Sequence, residues 1–222
     1  MNIPSTALVA LHYFPCIQYF TKFIFCQEVQ IEQHEHYQKG SYRNRCHIAG
    51  VNGVLRLSIP LKSGKNQKMP IRDVRIAYDE PWQAQHWTSI KSAYGNAPYF
   101  EYYADQLQPF FQNKPTLLFD WNYELLGLMK QLIGLQTPIS LTKNYEPHPI
   151  AQIDFRQSIS PKQKLNSTDK QFIPQAYAQV FQEKHGFLPN LSILDLLFCA
   201  GPQSILILES STPDLWIYSA TN

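Results

Sequence analysis

Residues 6–31 constrain the fold most. Residues 6–11, TALVAL, are an apolar run of strand length that ends at His12. Pro15 follows, and proline suits the first turn of a helix because its missing N–H would be unpaired there anyway. Ile17, Phe20, Phe23 and Ile24 recur at helical spacing. Val29 and Ile31 then alternate with Glu28, Gln30 and Glu32, the pattern of a half-buried strand. Strand, turn, helix and strand in this order form a crossover unit, which pairs its strands in parallel. The expected class is α/β, with a short, mainly parallel sheet flanked by helices.

The remaining chain adds strands early and helices late. Residues 33–47 are polar and mixed, so they are expected to form a loop. Val54, Leu55, Leu57 and Ile59 predict a strand stopped by Pro60, and Ile71, Val74 and Ile76 predict another. Trp82, His86, Trp87, Ile90 and Tyr94 show a helical period, with Asp79 or Glu80 available as a cap. Pro98 breaks it, and residues 99–111 resume as helix. Residues 116–135 give the clearest helix, with Gly134 as terminator. Residues 138–141 suit a last strand and residues 146–170 an irregular stretch. Residues 175–184 and 192–198 predict two more helices, the second capped by Ser192, so the C-terminal half is helical. The 222 residues suit one domain, placed at residues 1–210, with a tail at 211–222.

Composition removes several functions. A net charge of +2 offers no global hold on nucleic acid. No apolar run reads as a membrane span, and the first residues carry no basic region ahead of an apolar one. The four cysteines are scattered without a C-x-x-C pair, as for reduced thiols, so the expected location is cytoplasmic. Phosphate-cradling loops, dinucleotide fingerprints, nucleophile elbows and the H-E-x-x-H pattern are all absent. No cofactor is expected.

Titratable and aromatic residues crowd into residues 12–45. His12, with Tyr13 beside it, stands at a strand's carboxyl end before a helix N-terminus, where open α/β sheets bind ligands and anions. It could supply a proton, or merely satisfy a loop carbonyl. Lys39, Arg43 and Arg45 supply three cations interleaved with Tyr37, Tyr42 and Asn44, and arginine forks hold phosphate or carboxylate at two points. A solvated basic loop would look similar. Glu35 could orient one of these cations. His86 belongs to a stripe that is mostly core but could face a cleft. His34 and His36 could share a strand face, yet no pattern names a third or fourth ligand, so no metal is expected. Asp195 sits in an apolar helix, either holding its first turn or pairing with an arginine from the loop.

Several of these pieces together resemble the WbqC-like proteins, a bacterial family named from O-antigen gene clusters. The turn Leu11-His12-Tyr13-Phe14-Pro15 is followed by Tyr19-Phe20, then Tyr37-Gln38-Lys39, Asn44-Arg45 and Leu57-Ser58-Ile59-Pro60. The segment from Trp82 to Phe100 and the closing Leu191-Ser192-Ile193-Leu194-Asp195-Leu196-Leu197 complete the set. The likeness spans about residues 6–205. Two departures stand out. Glu35 is the only acidic residue kept near the Tyr-x-Lys segment, and a Tyr-Leu-Ser-Gly-like strand and loop is missing between Leu141 and Phe172.

The resemblance implies a cytoplasmic role in making a bacterial surface polysaccharide such as the O-antigen of lipopolysaccharide. On that basis the chain is expected to be a transferase-like enzyme. Its substrate would be a phosphorylated or nucleotide-linked sugar, or an activated acyl or amino group. His12 and Glu35 would be catalytic. Tyr13, Tyr37, Lys39, Arg43, Asn44, Arg45 and His86 would hold the small, anionic substrate. The alternative is a non-catalytic binding protein for a phosphorylated metabolite. Nucleic-acid binding is the weakest reading, because the charge is near neutral. The sequence does not set the oligomeric state.

Overall fold

The computed structural model describes residues 6–62, 68–162 and 169–213. Its centre is a four-stranded parallel sheet in the order β5-β2-β1-β6. β1 (Thr6–Ala10) and β2 (Glu28–Glu32) are the inner strands, and β5 (Ile139–Leu141) and β6 (Ile153–Asp154) the edges. Side chains on both faces of β1 are buried, so its sequence is continuously apolar rather than alternating. β2 differs from the expected half-buried strand, because Glu32 is also buried.

The connection between β1 and β2 is helical, as predicted, but broken. α1 (Ile17–Phe20) and α2 (Lys22–Phe25) meet at Thr21, whose hydroxyl donates to the Gln18 carbonyl at 2.7 Å. Before α1 the chain turns through Phe14 at φ +38, a left-handed conformation that costs a non-glycine residue about 1–2 kcal/mol. The start of α7 (Ile193–Ala200) clamps this turn. Ser192 Oγ donates to the Phe14 carbonyl at 3.0 Å, and the Ile193 N–H to the Pro15 carbonyl at 2.8 Å.

Several expectations give way to non-local pairing. Residues 33–47 are not all loop: β3 (Arg45–Gly50) pairs antiparallel with β4 (Gly53–Ser58) in a separate two-stranded sheet. The predicted strand at Ile71, Val74 and Ile76 is a 3-10 turn, Ile71–Asp73, with two isolated bridges, although all three apolar residues are buried. The helix predicted over residues 175–184 shrinks to α6 (Gln182–His185). The stretch 146–170 contains β6, and residues 163–168 of it lie outside the described residues.

The long helices stand close to expectation. α3 (Trp82–Tyr94) begins after Pro81 without a side-chain cap, so neither Asp79 nor Glu80 serves as one. α4 (Phe100–Leu107) and α5 (Leu118–Ile133) follow, the latter ending at Gly134 with φ +86. α7 is capped by Ser192, whose Oγ accepts from the Leu194 N–H. α8 (Ser204–Ser210) completes the order. The stretch Ile193–Ser210 is long and apolar enough, by length and composition, to cross a membrane, with a mean hydropathy of 1.4. Half of it is buried within the fold, and Gly201 and Pro202 interrupt it. The tail predicted at residues 211–222 is described only to residue 213.

Asp195 is held without arginine. Tyr94 donates to Oδ1 at 2.8 Å, and Tyr177 and Gln179 donate to Oδ2 at 2.5 and 2.9 Å. Tyr94 Oη also accepts from the Ala49 N–H at 2.9 Å, so one carboxylate ties α7, α3, β3 and the 177–179 segment together.

A polar cleft at the carboxyl edge of the sheet

The strands run parallel, so their carboxyl ends collect on one side of the molecule, where open α/β sheets place ligands. Each strand delivers a polar group there. Leu11 and His12 follow β1, Glu32 ends β2, Thr142 follows β5, and Asp154 ends β6 two residues before Arg156. A cleft of about 220 Å³ opens at this edge, between Glu35 to Gln38 on one wall and Tyr145, Pro147, Asp154, Arg156 and Gln157 on the other.

Two buried arginine–carboxylate clusters border it. In the first, Arg43 grips Glu35 at two points, Nε on Oε1 at 2.6 Å and Nη2 on Oε2 at 2.5 Å. Burial pushes the Glu35 carboxyl up, and the charge and hydrogen bonds of Arg43 oppose that shift. In the second, Arg156 donates from Nε and Nη2 to Asp154 at 2.9 and 2.7 Å, and from Nη1 to Glu32 at 3.2 Å. Its Nη2 also reaches the Glu146 carbonyl at 2.8 Å. Glu32 further accepts from the His34 N–H at 2.7 Å and from Thr142 Oγ1 at 2.9 Å. Such networks are stable only when nearly every donor and acceptor is used, and here they nearly are.

The predicted site residues do not all converge on this cleft. Glu35 and Tyr37 line it. Arg43 touches it only through Glu35; it is 1% exposed and is not the solvated phosphate fork the cationic loop suggested. The reason is the β3–β4 hairpin, which draws the 3-10 turn Tyr42–Asn44 into the core. Asn44 is structural, accepting from Tyr37 Oη at 2.9 Å and donating to the Ile59 carbonyl at 2.8 Å. Lys39 is exposed and Arg45 half-buried, and neither is among the lining residues. Arg45 lies near enough to Tyr37 for its charge to oppose the upward push of burial on that phenol.

His12 is not among the lining residues and is buried, 1% exposed. Its ring centroid is 5.1 Å from that of Tyr19 and 5.6 Å from that of Tyr42. Neither ring nitrogen has a hydrogen-bond partner, and neither does Tyr19 Oη. Burial, and then the Arg43 charge, hold the imidazole well below its ordinary range, so it is neutral. Tyr13 and His86 bond each other instead of lining the cleft, Oη to Nδ1 at 2.9 Å. Burial lowers His86 to about 4.

His34 turns its Nε2 onto the Thr142 carbonyl at 3.1 Å while His36 lines the cleft, so the two do not pair as metal ligands. Among the described residues, no group of three His, Cys, Asp or Glu side chains is arranged to hold a metal.

Sequence reasoning missed Glu32, Tyr145, Asp154 and Arg156. The available signal was Asp154-Phe155-Arg156, two opposite charges flanking an aromatic in a stretch otherwise read as irregular. It also missed Lys22, which is buried in an ion pair with Asp169, its Nζ 4.4 Å from the Phe155 ring centroid.

A parallel sheet with charged clusters at its carboxyl edge and a cleft beside them defines an α/β protein with its cleft where open sheets of this class place ligands. The chain belongs to the WbqC-like protein family, whose profile matches residues 11–207. It is similar to an uncharacterized protein of Mycobacterium tuberculosis, 25% identical over 221 residues that cover 90% of this chain and 95% of that one. No solved structure matches it.

Proposed function

We propose that the chain is a transferase-like enzyme of bacterial surface polysaccharide biosynthesis, working in the cytoplasm. Its substrate is a phosphorylated or nucleotide-linked sugar, or an activated acyl or amino group. Family membership supports the pathway. The single observation that carries the site is the placing of Glu35, clamped by Arg43, in the wall of the cleft. A carboxylate fixed in this way can accept a proton from a substrate hydroxyl or amine, and Arg43 holds it in position for that transfer. The anionic part of the substrate would lie beyond Tyr37, towards Arg45, rather than on the saturated guanidinium of Arg156.

A second reading, a non-catalytic binding protein for a phosphorylated metabolite, is favoured by one feature. Among the described residues, those lining the cleft include no serine, cysteine or lysine to act as a nucleophile. Incubation of the protein with nucleotide-linked sugars and acyl or amino donors, followed by mass spectrometry of the products, separates the two. The expected result is turnover that falls about 100-fold or more in Glu35→Gln, a variant confirmed as folded by circular dichroism. Binding without turnover in the wild type would leave the second reading.

A further inference from the structure

The charges around the cleft do not favour an anion inside it. Three carboxylates, Glu32, Glu35 and Asp154, face two guanidinium groups, Arg43 and Arg156, which leaves one negative charge in surplus. Both arginines are at most 4% exposed at the side chain, and their forks are closed on carboxylates, so among the described residues no free cation fork lines the cleft. A phosphate would have to break one of these pairs and enter a field that repels it.

What the cleft does offer is different. Tyr145 stands at its mouth, 51% exposed, with the Arg156 guanidinium 5.1 Å from its ring centroid. The Asp154 side chain is 31% exposed; the Arg156 backbone N–H and Nε both donate to Oδ1 and Nη2 donates to Oδ2, which fixes the carboxylate and leaves a lone pair on Oδ2. The side chains of Gln38, Gln157 and His36 also line the cleft and make no hydrogen bond among the described residues. An aromatic face beside a fixed carboxylate and free planar amides suits a ring with one apolar C–H face and an edge of hydroxyls. The weakly positive C–H groups rest on the negative face of the tyrosine, and adjacent hydroxyls bridge carboxylate and amide.

The geometry points to this cleft as a carbohydrate subsite, one that takes the neutral, hydroxyl-rich ring of the substrate between Tyr145, Asp154 and Gln157 and excludes its phosphate. The inference rests on the same cleft as the proposed function and specifies what occupies it. It does not require that any reaction occur.

The test is titration of the full chain with methyl glucoside and methyl N-acetylglucosaminide as neutral probes, and with inorganic pyrophosphate and uridine monophosphate as anionic ones, followed by saturation-transfer NMR. The expected result is binding of at least one glycoside that is about five- to tenfold weaker in Tyr145→Ala, with an unchanged melting temperature. Gln157→Ala should weaken it in the same direction, and pyrophosphate should not compete. Binding of neither glycoside overturns the inference. So does pyrophosphate binding that competes with a glycoside or is lost in Tyr145→Ala. Glycoside binding together with no turnover of the nucleotide-linked sugars and acyl or amino donors in the assay above keeps the subsite and removes the catalytic reading. Turnover with an unchanged KM in Tyr145→Ala does the reverse.

Discussion

At Arg43, burial reverses what a cationic loop ordinarily means for stability. An exposed arginine can be truncated at little cost, but this one is 1% exposed and closed on Glu35. Arg43→Ala would leave the Glu35 carboxylate buried without its partner, which costs about 3–5 kcal/mol. Urea denaturation should show the midpoint falling accordingly, and an unchanged midpoint would mean that the pair is not formed in solution. His12 and His86 act on stability through pH. Both are held below the ordinary histidine range by burial, so both are neutral in the fold. Above about pH 6.5 neither folded nor unfolded imidazole is charged, and they contribute no slope. As the pH falls below that value, the unfolded chain takes up protons that the folded chain refuses. Stability is therefore lost, by up to about 1.4 kcal/mol per pH unit for each histidine. For His86 the loss runs down to its folded value of about 4. Urea midpoints measured from pH 7 to pH 5 should drop less steeply in His86→Gln than in the wild type, and equal slopes would remove His86 from the account.

Among the elements, α5 shows most directly how a local signal sets a boundary. Its last turn closes on Gly134, whose N–H donates to the Lys130 carbonyl at 3.1 Å from a left-handed backbone. No atom lies within 4 Å of where a side chain would begin, so Gly134→Ala costs only the conformational strain, about 1 kcal/mol. A thermal melt should register a drop of a few degrees, and an unchanged melt would contradict the cap. Elements of this kind were legible in the sequence: α3, α5 and α7 follow from periodicity, and β1, β2 and β5 from short apolar or alternating runs. β3 carries a short alternation of its own, Cys46 and Ile48 with Arg45 and His47, but it follows directly on a polar run that reads as loop, and pairing with β4 is what makes it a strand. β6 was hidden because two residues carry no period, and only β1, far away in sequence, defines it. The site failed for the same reason. Glu35 and Tyr37 stood out in a chemically dense segment, whereas the opposite wall comes from residues 145–157, which look like a loop until the sheet closes. Arg43 was visible as a cation but not as a buried one, since burial depends on a hairpin that the local pattern did not show.

On the scale of the whole molecule, the strand order separates what is made first from what completes it. β1 and β2 lie side by side at the centre of the sheet, and both are made well before β5 and β6. Their outer edges are covered only by residues 139–141 and 153–154. At the usual pace of synthesis, the interval between them is on the order of 10 s. Until then, any pairing of β1 with β2 leaves two bare edges, each able to template pairing with another chain. β6, which covers one of these edges, also carries Asp154 into the far wall of the cleft. Closing that edge of the sheet and forming the far wall of the cleft are therefore one event in the life of the nascent chain. A product cut short before Asp154 would be both aggregation-prone and without its cleft.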